Sequence, residues 1–196
     1  MTIERHAAVA ASTTTLYFVR HADSPYLPGQ ERTRGLSERG SSDALRVCRA
    51  LMDVRVDTFV SSPYERAIRT IGPLAGDREL AIIEDLRERD IGVLSDTDFQ
   101  AAKAKVYEDF DFAYPGGESS RSAQRRAVRA VLDLLRVFQG GHVLLGTHGD
   151  IMTLIFNYFD PSVHYAFWQS TTMPDIYKLE FEGERLVTRS RLWRTD

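Results

Sequence analysis

Cysteine is nearly absent from this chain: 196 residues include only Cys48. A lone cysteine excludes an internal disulfide and any thiolate metal cluster. Its place in an apolar helical pattern makes it a small buried hydrophobe. Long hydrophobic runs are missing too, and no stretch approaches the roughly 20 apolar residues of a membrane-crossing helix. Nor is there an excess of one charge. Lys and Arg number 25 against 28 Asp and Glu, a net charge of -3, which argues for neither nucleic acid nor an anionic membrane as partner. Repeats and low-complexity linkers are lacking as well. Ala7–Ala11 is too short for a signal-peptide core and follows the acidic Glu4, so a cytoplasmic location is expected. Residues 1–14 read as a weakly structured lead-in and 15–196 as one domain, long enough to bury a real core.

What is present is an alternation. Strands are expected at Thr15–Val19, Asp57–Val60, Ala81–Ile83, His142–Gly146, Ile176–Phe181 and Leu186–Trp193. Between them, apolar residues recur at helical spacing: Ala44, Val47, Cys48 and Leu51; then Ala67, Thr70, Ile71 and Leu74; then Ala127, Ala130, Val131, Leu134, Leu135 and Phe138. A further helical stretch runs from Ile151 to Tyr158. Such alternation predicts an α/β fold, a three-layer α/β/α sandwich around a mostly parallel central sheet. Glu182-Gly183-Glu184 reads as a hairpin-like break, so the sheet should end in an antiparallel edge. The segment from Gly92 to Gly117 fits the alternation poorly and reads as a lid excursion over one end of the sheet. Its aromatics Phe99, Tyr107, Phe110, Phe112 and Tyr114 read as packing residues first and ligand-stacking residues second.

The chemistry gathers at strand ends. Leu16-Tyr17-Phe18-Val19 runs into Arg20-His21 and then into turn-forming residues, and open α/β sheets bind ligands at the carboxyl ends of their strands. Arg5-His6-Ala7 repeats the letters without a preceding strand and is given no function. Val143–Gly146 likewise ends in Thr147-His148-Gly149. The small residues Ala22 and Gly149 would let backbone come close to a ligand or to the other loop. Ser61-Ser62-Pro63-Tyr64-Glu65-Arg66 predicts a helix start with Ser62 as cap, Pro63 at the first position and Glu65 completing a capping box. Arg66 then projects beside the positive end of the helix, a conflict that a bound anion resolves. Glu88, after the third strand, is the remaining acid, and its charged neighbours make a solvated face its plainer reading.

These parts suit phosphoryl transfer. A neutral His21 imidazole can attack phosphorus and hold a covalent phosphohistidine. Arg20, Arg66 and His148 can bind the equatorial oxygens, where transition-state charge sits. Glu88 would protonate the leaving oxygen and then activate water, for which it should be partly desolvated.

The sequence resembles the histidine phosphatase superfamily, the phosphoglycerate-mutase-like fold, in its small bacterial-type phosphatase branch. Arg20-His21-Ala22 resembles the Arg-His-Gly signature, and Leu36-Ser37-Glu38-Arg39-Gly40 a Leu-Thr/Ser-x-x-Gly helix start. Ser61-Ser62-Pro63 with Arg66-Ala67 and Thr70 resembles the second phosphate-binding block. Leu86-x-Glu88 with Gly92 resembles the proton-donor block, Gly116-Gly117-Glu118-Ser119 the approach to the long helix, and His148-Gly149 the second histidine. The resemblance implies a phosphatase with catalytic His21, Glu88 and His148, and a phosphate pocket of Arg20, Arg66, His148 and Gly149. It implies no cofactor and no metal; arginines at the site disfavour a cation.

The departures bear on substrate. Ala22 replaces the usual glycine, acceptable if its φ is negative. Tyr26-Leu27-Pro28 stands where many members have an asparagine, leaving Ser24 or a backbone amide to substitute. Leu94-Ser95-Asp96 replaces a Trp-Glu-Gly sequence. Ser24 and Asp175 are the candidate substrate contacts. The expected partner is a small-molecule phosphate monoester, with a phosphoprotein left open; oligomeric state is unreadable. Phosphoglycerate mutase is the alternative enzyme. A catalytically weak protein that binds phospho-ligands is the alternative from another class.

Overall fold

The computed structural model describes residues 12–95 and 97–194. The Arg5-His6-Ala7 repeat, the Ala7–Ala11 stretch and Asp96 lie outside them. Six strands share one sheet: β1 (Thr13–Arg20), β2 (Thr58–Ser61), β3 (Leu80–Ile82), β4 (His142–Thr147), β5 (Asp175–Glu182) and β6 (Arg185–Arg191). Their order is β3-β2-β4-β1-β5-β6. The first four are parallel, and β5 and β6 form the antiparallel edge. β1 begins inside the expected lead-in, because Thr13 and Thr14 already pair with Glu182 and Phe181.

The helices are α1 (Glu38–Leu51), α2 (Glu65–Ala75), α3 (Phe99–Glu108), α4 (Ser120–Val137), α5 (Gly149–Phe159) and α6 (Tyr165–Ser170). Strand periodicity of two sends alternate side chains to opposite faces. Leu16 and Phe18 of β1 join Val131 of α4 and Ile155 of α5 in one core. Tyr17 and Val19 join Val47 of α1 and Ile71 of α2 in the other. The three expected layers are therefore present, each large apolar side chain buried between them contributing about 1.5–3 kcal/mol. Cys48 is only half-buried, its thiol 3.6 Å from the Pro73 carbonyl.

This winding positions the site. The chain leaves β1 toward the α1 and α2 face but leaves adjacent β4 toward the α4 and α5 face. A crevice opens between their carboxyl ends, the switch point of the sheet. Hydrogen bonds continue past the strands there: His21 N–H donates to the Thr147 carbonyl at 2.9 Å, and Ser62 N–H to the Gly146 carbonyl at 3.0 Å.

Two helices were not expected. α3 lies inside segment 92–117, capped by the Asp98 carboxylate, which accepts from Gln100 and Ala101 N–H groups. Its buried side is Ala102, Lys103, Val106 and Tyr107, so a lysine interrupts the apolar stripe that periodicity would detect. α6 has only six residues and none is fully buried.

Candidate active site

At the end of β1, the Nδ1 of His21 lies 2.8 Å from the carbonyl of Ala22. A carbonyl only accepts, so Nδ1 carries the proton and Nε2 keeps its lone pair. Burial, then the nearby Arg66 and Arg20 charges, hold this imidazole well below the usual histidine range. Ala22 is anchored by its N–H donating to Thr70 Oγ1 of α2 at 2.9 Å. Among the described residues no non-glycine has a positive φ, so alanine fits where a glycine was expected.

Arg20 and Arg66 flank His21 on the wall of a cavity of about 750 Å³. The Arg20 Nη1 donates to the Thr171 carbonyl at 3.2 Å and to its hydroxyl at 2.5 Å, while Nε is buried without a partner. Arg66, 2% exposed on the first turn of α2, donates to the Glu31 carbonyl at 2.6 Å; its Nε is also unpartnered. Burial and the neighbouring Arg34 pull the Arg66 guanidinium down to about 10. Two buried guanidiniums with donors unspent, beside a neutral imidazole, form a site short of an anion.

The expected capping box does not form. Helix α2 starts at Glu65 with Tyr64 as N-cap and no side-chain cap. The Ser62 hydroxyl is taken by His148, 2.6 Å from its Nε2, and also accepts from the Tyr64 N–H at 3.2 Å. Glu65 pairs instead with Arg69 at 2.6 Å. His148 is fully buried behind His21, ring centroids 5.3 Å apart, and Tyr64 packs on its other side at 5.1 Å. Burial, then Arg66, keep it neutral as well.

These shifts give a stability prediction. The two histidines have folded pKa values below the unfolded value of about 6.5. Below that pH the unfolded chain takes up protons that the folded state refuses, so stability falls as pH drops from 7 toward 5. Thermal unfolding at both pH values should show a smaller drop in Tm for His148→Asn than for the wild type. An identical drop would contradict it.

Gly149, at the start of α5, does not line the cavity. An added Cβ there would lie 2.9 Å from the Arg20 guanidinium carbon, so its smallness seats Arg20.

Glu88 is half-buried on the cavity wall. Its carboxylate accepts from the Arg89, Asp150 and Ile151 N–H groups at 3.0, 3.1 and 2.9 Å, the latter two at the N-terminus of α5. The loop carrying it is pinned by Arg126 of α4, which donates to the carbonyls of Asp85 at 2.6 Å and Arg87 at 2.8 Å. Below it, fully buried Asp150 accepts from Arg89, Lys103 and the Tyr107 hydroxyl. The two cations hold its carboxyl at about 2 despite burial.

The structure thus brings His21, Arg20, Arg66, Glu88 and Ser24 to one cavity. The Ser24 hydroxyl donates to the Gly35 carbonyl at 2.6 Å and accepts from Arg34 at 2.7 Å. Asp175 is not brought there. It is fully buried and receives Arg191 at 2.8 Å and the Thr172 N–H at 3.0 Å. It braces the loop whose Thr171 holds Arg20 and does not line the cavity. Arg34, Thr171 and Trp168 also line the cavity and were not anticipated; they stand in loops or the short α6, without periodicity to mark them. Of the five aromatics in segment 92–117, only Phe99 lines the cavity; Tyr107 is core, and Phe110, Phe112 and Tyr114 pack against it.

Comparison with known proteins identifies the family. The profile of the histidine phosphatase superfamily (branch 1) matches residues 3–193, and the chain belongs to that family. It is similar to a mycobacterial glucosyl-3-phosphoglycerate phosphatase at 22% identity and a TM-score of 0.72, over 91% of this chain and 97% of that one. Bacillus stearothermophilus YhfR is similar at 23% identity and 0.70, over 89% and 94%. An Entamoeba histolytica phosphoserine phosphatase in complex with phosphoserine is similar at 19% and 0.71, over 91% and 96%. Comparison with curated protein sequences gives no match. Among the described residues no helix is long and apolar enough to cross a membrane.

Proposed function

We propose that this protein is a metal-independent phosphatase that hydrolyses a small phosphate monoester through a phosphohistidine on His21. The observation that carries the reading is the 2.8 Å contact of His21 Nδ1 with the Ala22 carbonyl, in a cavity also lined by Arg20 and the buried Arg66. It leaves Nε2 as an unprotonated nucleophile beside cationic donors for a phosphoryl group. Nε2 attacks phosphorus as the ester P–O bond breaks, and protonated Glu88 gives its proton to the leaving oxygen. Water then loses a proton to the Glu88 carboxylate and attacks phosphorus. The P–N bond breaks, phosphate leaves and neutral His21 returns.

Arg20 and Arg66 stabilise the equatorial oxygens throughout, with Arg34 beside them. His148, expected at the phosphate, does not line the cavity; it acts from behind His21, holding the Ser62 hydroxyl at 2.6 Å. A substrate phosphate held by arginines needs no divalent ion, so release of phosphate from monoesters should persist in EDTA. Loss in EDTA with recovery on adding a divalent metal would contradict the reading, and appearance of phosphate on a second substrate hydroxyl would favour a mutase.

Gly149→Ala tests the phosphate pocket at one remove. Its new methyl group displaces the Arg20 guanidinium, and misplacing such a group by about 1 Å costs about 100-fold in rate. The measurement is kcat/KM together with inhibition by vanadate, and both should weaken. Unchanged vanadate affinity would remove Arg20 from the pocket.

A further inference from the structure

The far end of the cavity differs from the phosphate end. Helix α3 contributes Phe99 and α6 contributes Trp168, their ring centroids 6.3 Å apart and tilted by 57°. Trp168 is backed by Tyr165, stacked at 5.7 Å. Phe99 is 48% exposed although it lines a cavity. A large ring held open at the mouth of a polar cleft is a surface for another apolar group.

The cations at this end are already engaged. The Lys103 ammonium lies 5.3 Å from both rings and is paired to the buried Asp150 carboxylate. Arg89 spends Nε and Nη2 on the same carboxylate and Nη1 on the Ser120 hydroxyl. The wall also carries the acidic Glu31 and Asp90. Lys103 and Arg89 thus both hold the single Asp150 carboxylate, which leaves the two rings as the open surface at this end.

We infer that the site selects phosphate monoesters whose alcohol is aromatic or apolar, with Phe99 and Trp168 as the residues that determine specificity. This rests on the proposed phosphatase reading. It also sets this chain apart from similar proteins whose names speak of phosphoglycerate and phosphoserine.

The test compares benzyl phosphate with O-phosphoserine, 3-phosphoglycerate and ethyl phosphate. All leave as alkyl alcohols, so differences report binding of the alcohol and not its acidity. Wild-type kcat/KM should be at least about tenfold higher for benzyl phosphate than for either carboxylate-bearing ester. Phe99→Ala and Trp168→Ala should each lower the benzyl-to-ethyl ratio of kcat/KM about three- to tenfold, mainly through KM. The ratio cancels any partial loss of folded protein, and exposed Phe99 tolerates truncation even if Trp168 does not. Equal or better turnover of the carboxylate-bearing esters, or an unchanged ratio in both variants, overturns the inference and leaves the phosphatase reading standing. No phosphate release from any of the four esters overturns the phosphatase reading and this one with it.

Discussion

Replacement of His21 by alanine should lower kcat on the order of 10⁴-fold or more, the scale seen when a covalent nucleophile is removed from a site acting as a unit. The fold should survive, because the side chain's one hydrogen bond goes to the adjacent Ala22 carbonyl. The backbone N–H that ties this residue to Thr147 is kept in the variant. Thermal unfolding of the variant serves as the control. Retention of more than about a hundredth of the wild-type rate would mean that water attacks phosphorus directly, with His21 only positioning the phosphate.

Glu88→Gln should cost about 10²–10⁴-fold on alkyl phosphate esters, the ordinary worth of a positioned acid and base. Glutamine keeps the shape and one acceptor oxygen, but its NH2 group would face a backbone N–H on one side of the three-donor cradle. The sharper signature is leaving-group dependence. A nitrophenolate departs without a proton, so the first step on para-nitrophenyl phosphate should survive while hydrolysis of the phosphoenzyme stalls. Stopped-flow should then show a burst of about one nitrophenol per site followed by a slow phase. Equal losses on alkyl and nitrophenyl esters without a burst would remove Glu88 from proton transfer.

What the sequence made legible follows from what each residue needed. β1 and β4 are apolar on both faces and end in basic or small residues, a pattern local enough to read directly. His21 and His148 stand out in the sequence because both lie at such strand ends. Glu88 is singled out in the sequence by block spacing, yet its cradle depends on α5, some 60 residues onward in the chain. Lys103 hid α3, since its burial is explained only by Asp150 reaching it from another element. The Ser62 capping signal failed for the same kind of reason: a tertiary partner, His148, claimed the hydroxyl. Asp175 sits at the end of β5 as its position promised, but its carboxylate is taken by Arg191 across the hairpin and does not line the cavity.

The most direct measurement is to trap the intermediate. The protein is mixed with a ³²P-labelled phosphate monoester in EDTA, quenched in alkali, digested and the labelled peptide located. The account predicts an alkali-stable, acid-labile label on His21, formed at a rate no slower than turnover and absent from His21→Ala. Steady phosphate release with no label on His21, or a label on another residue, would contradict it.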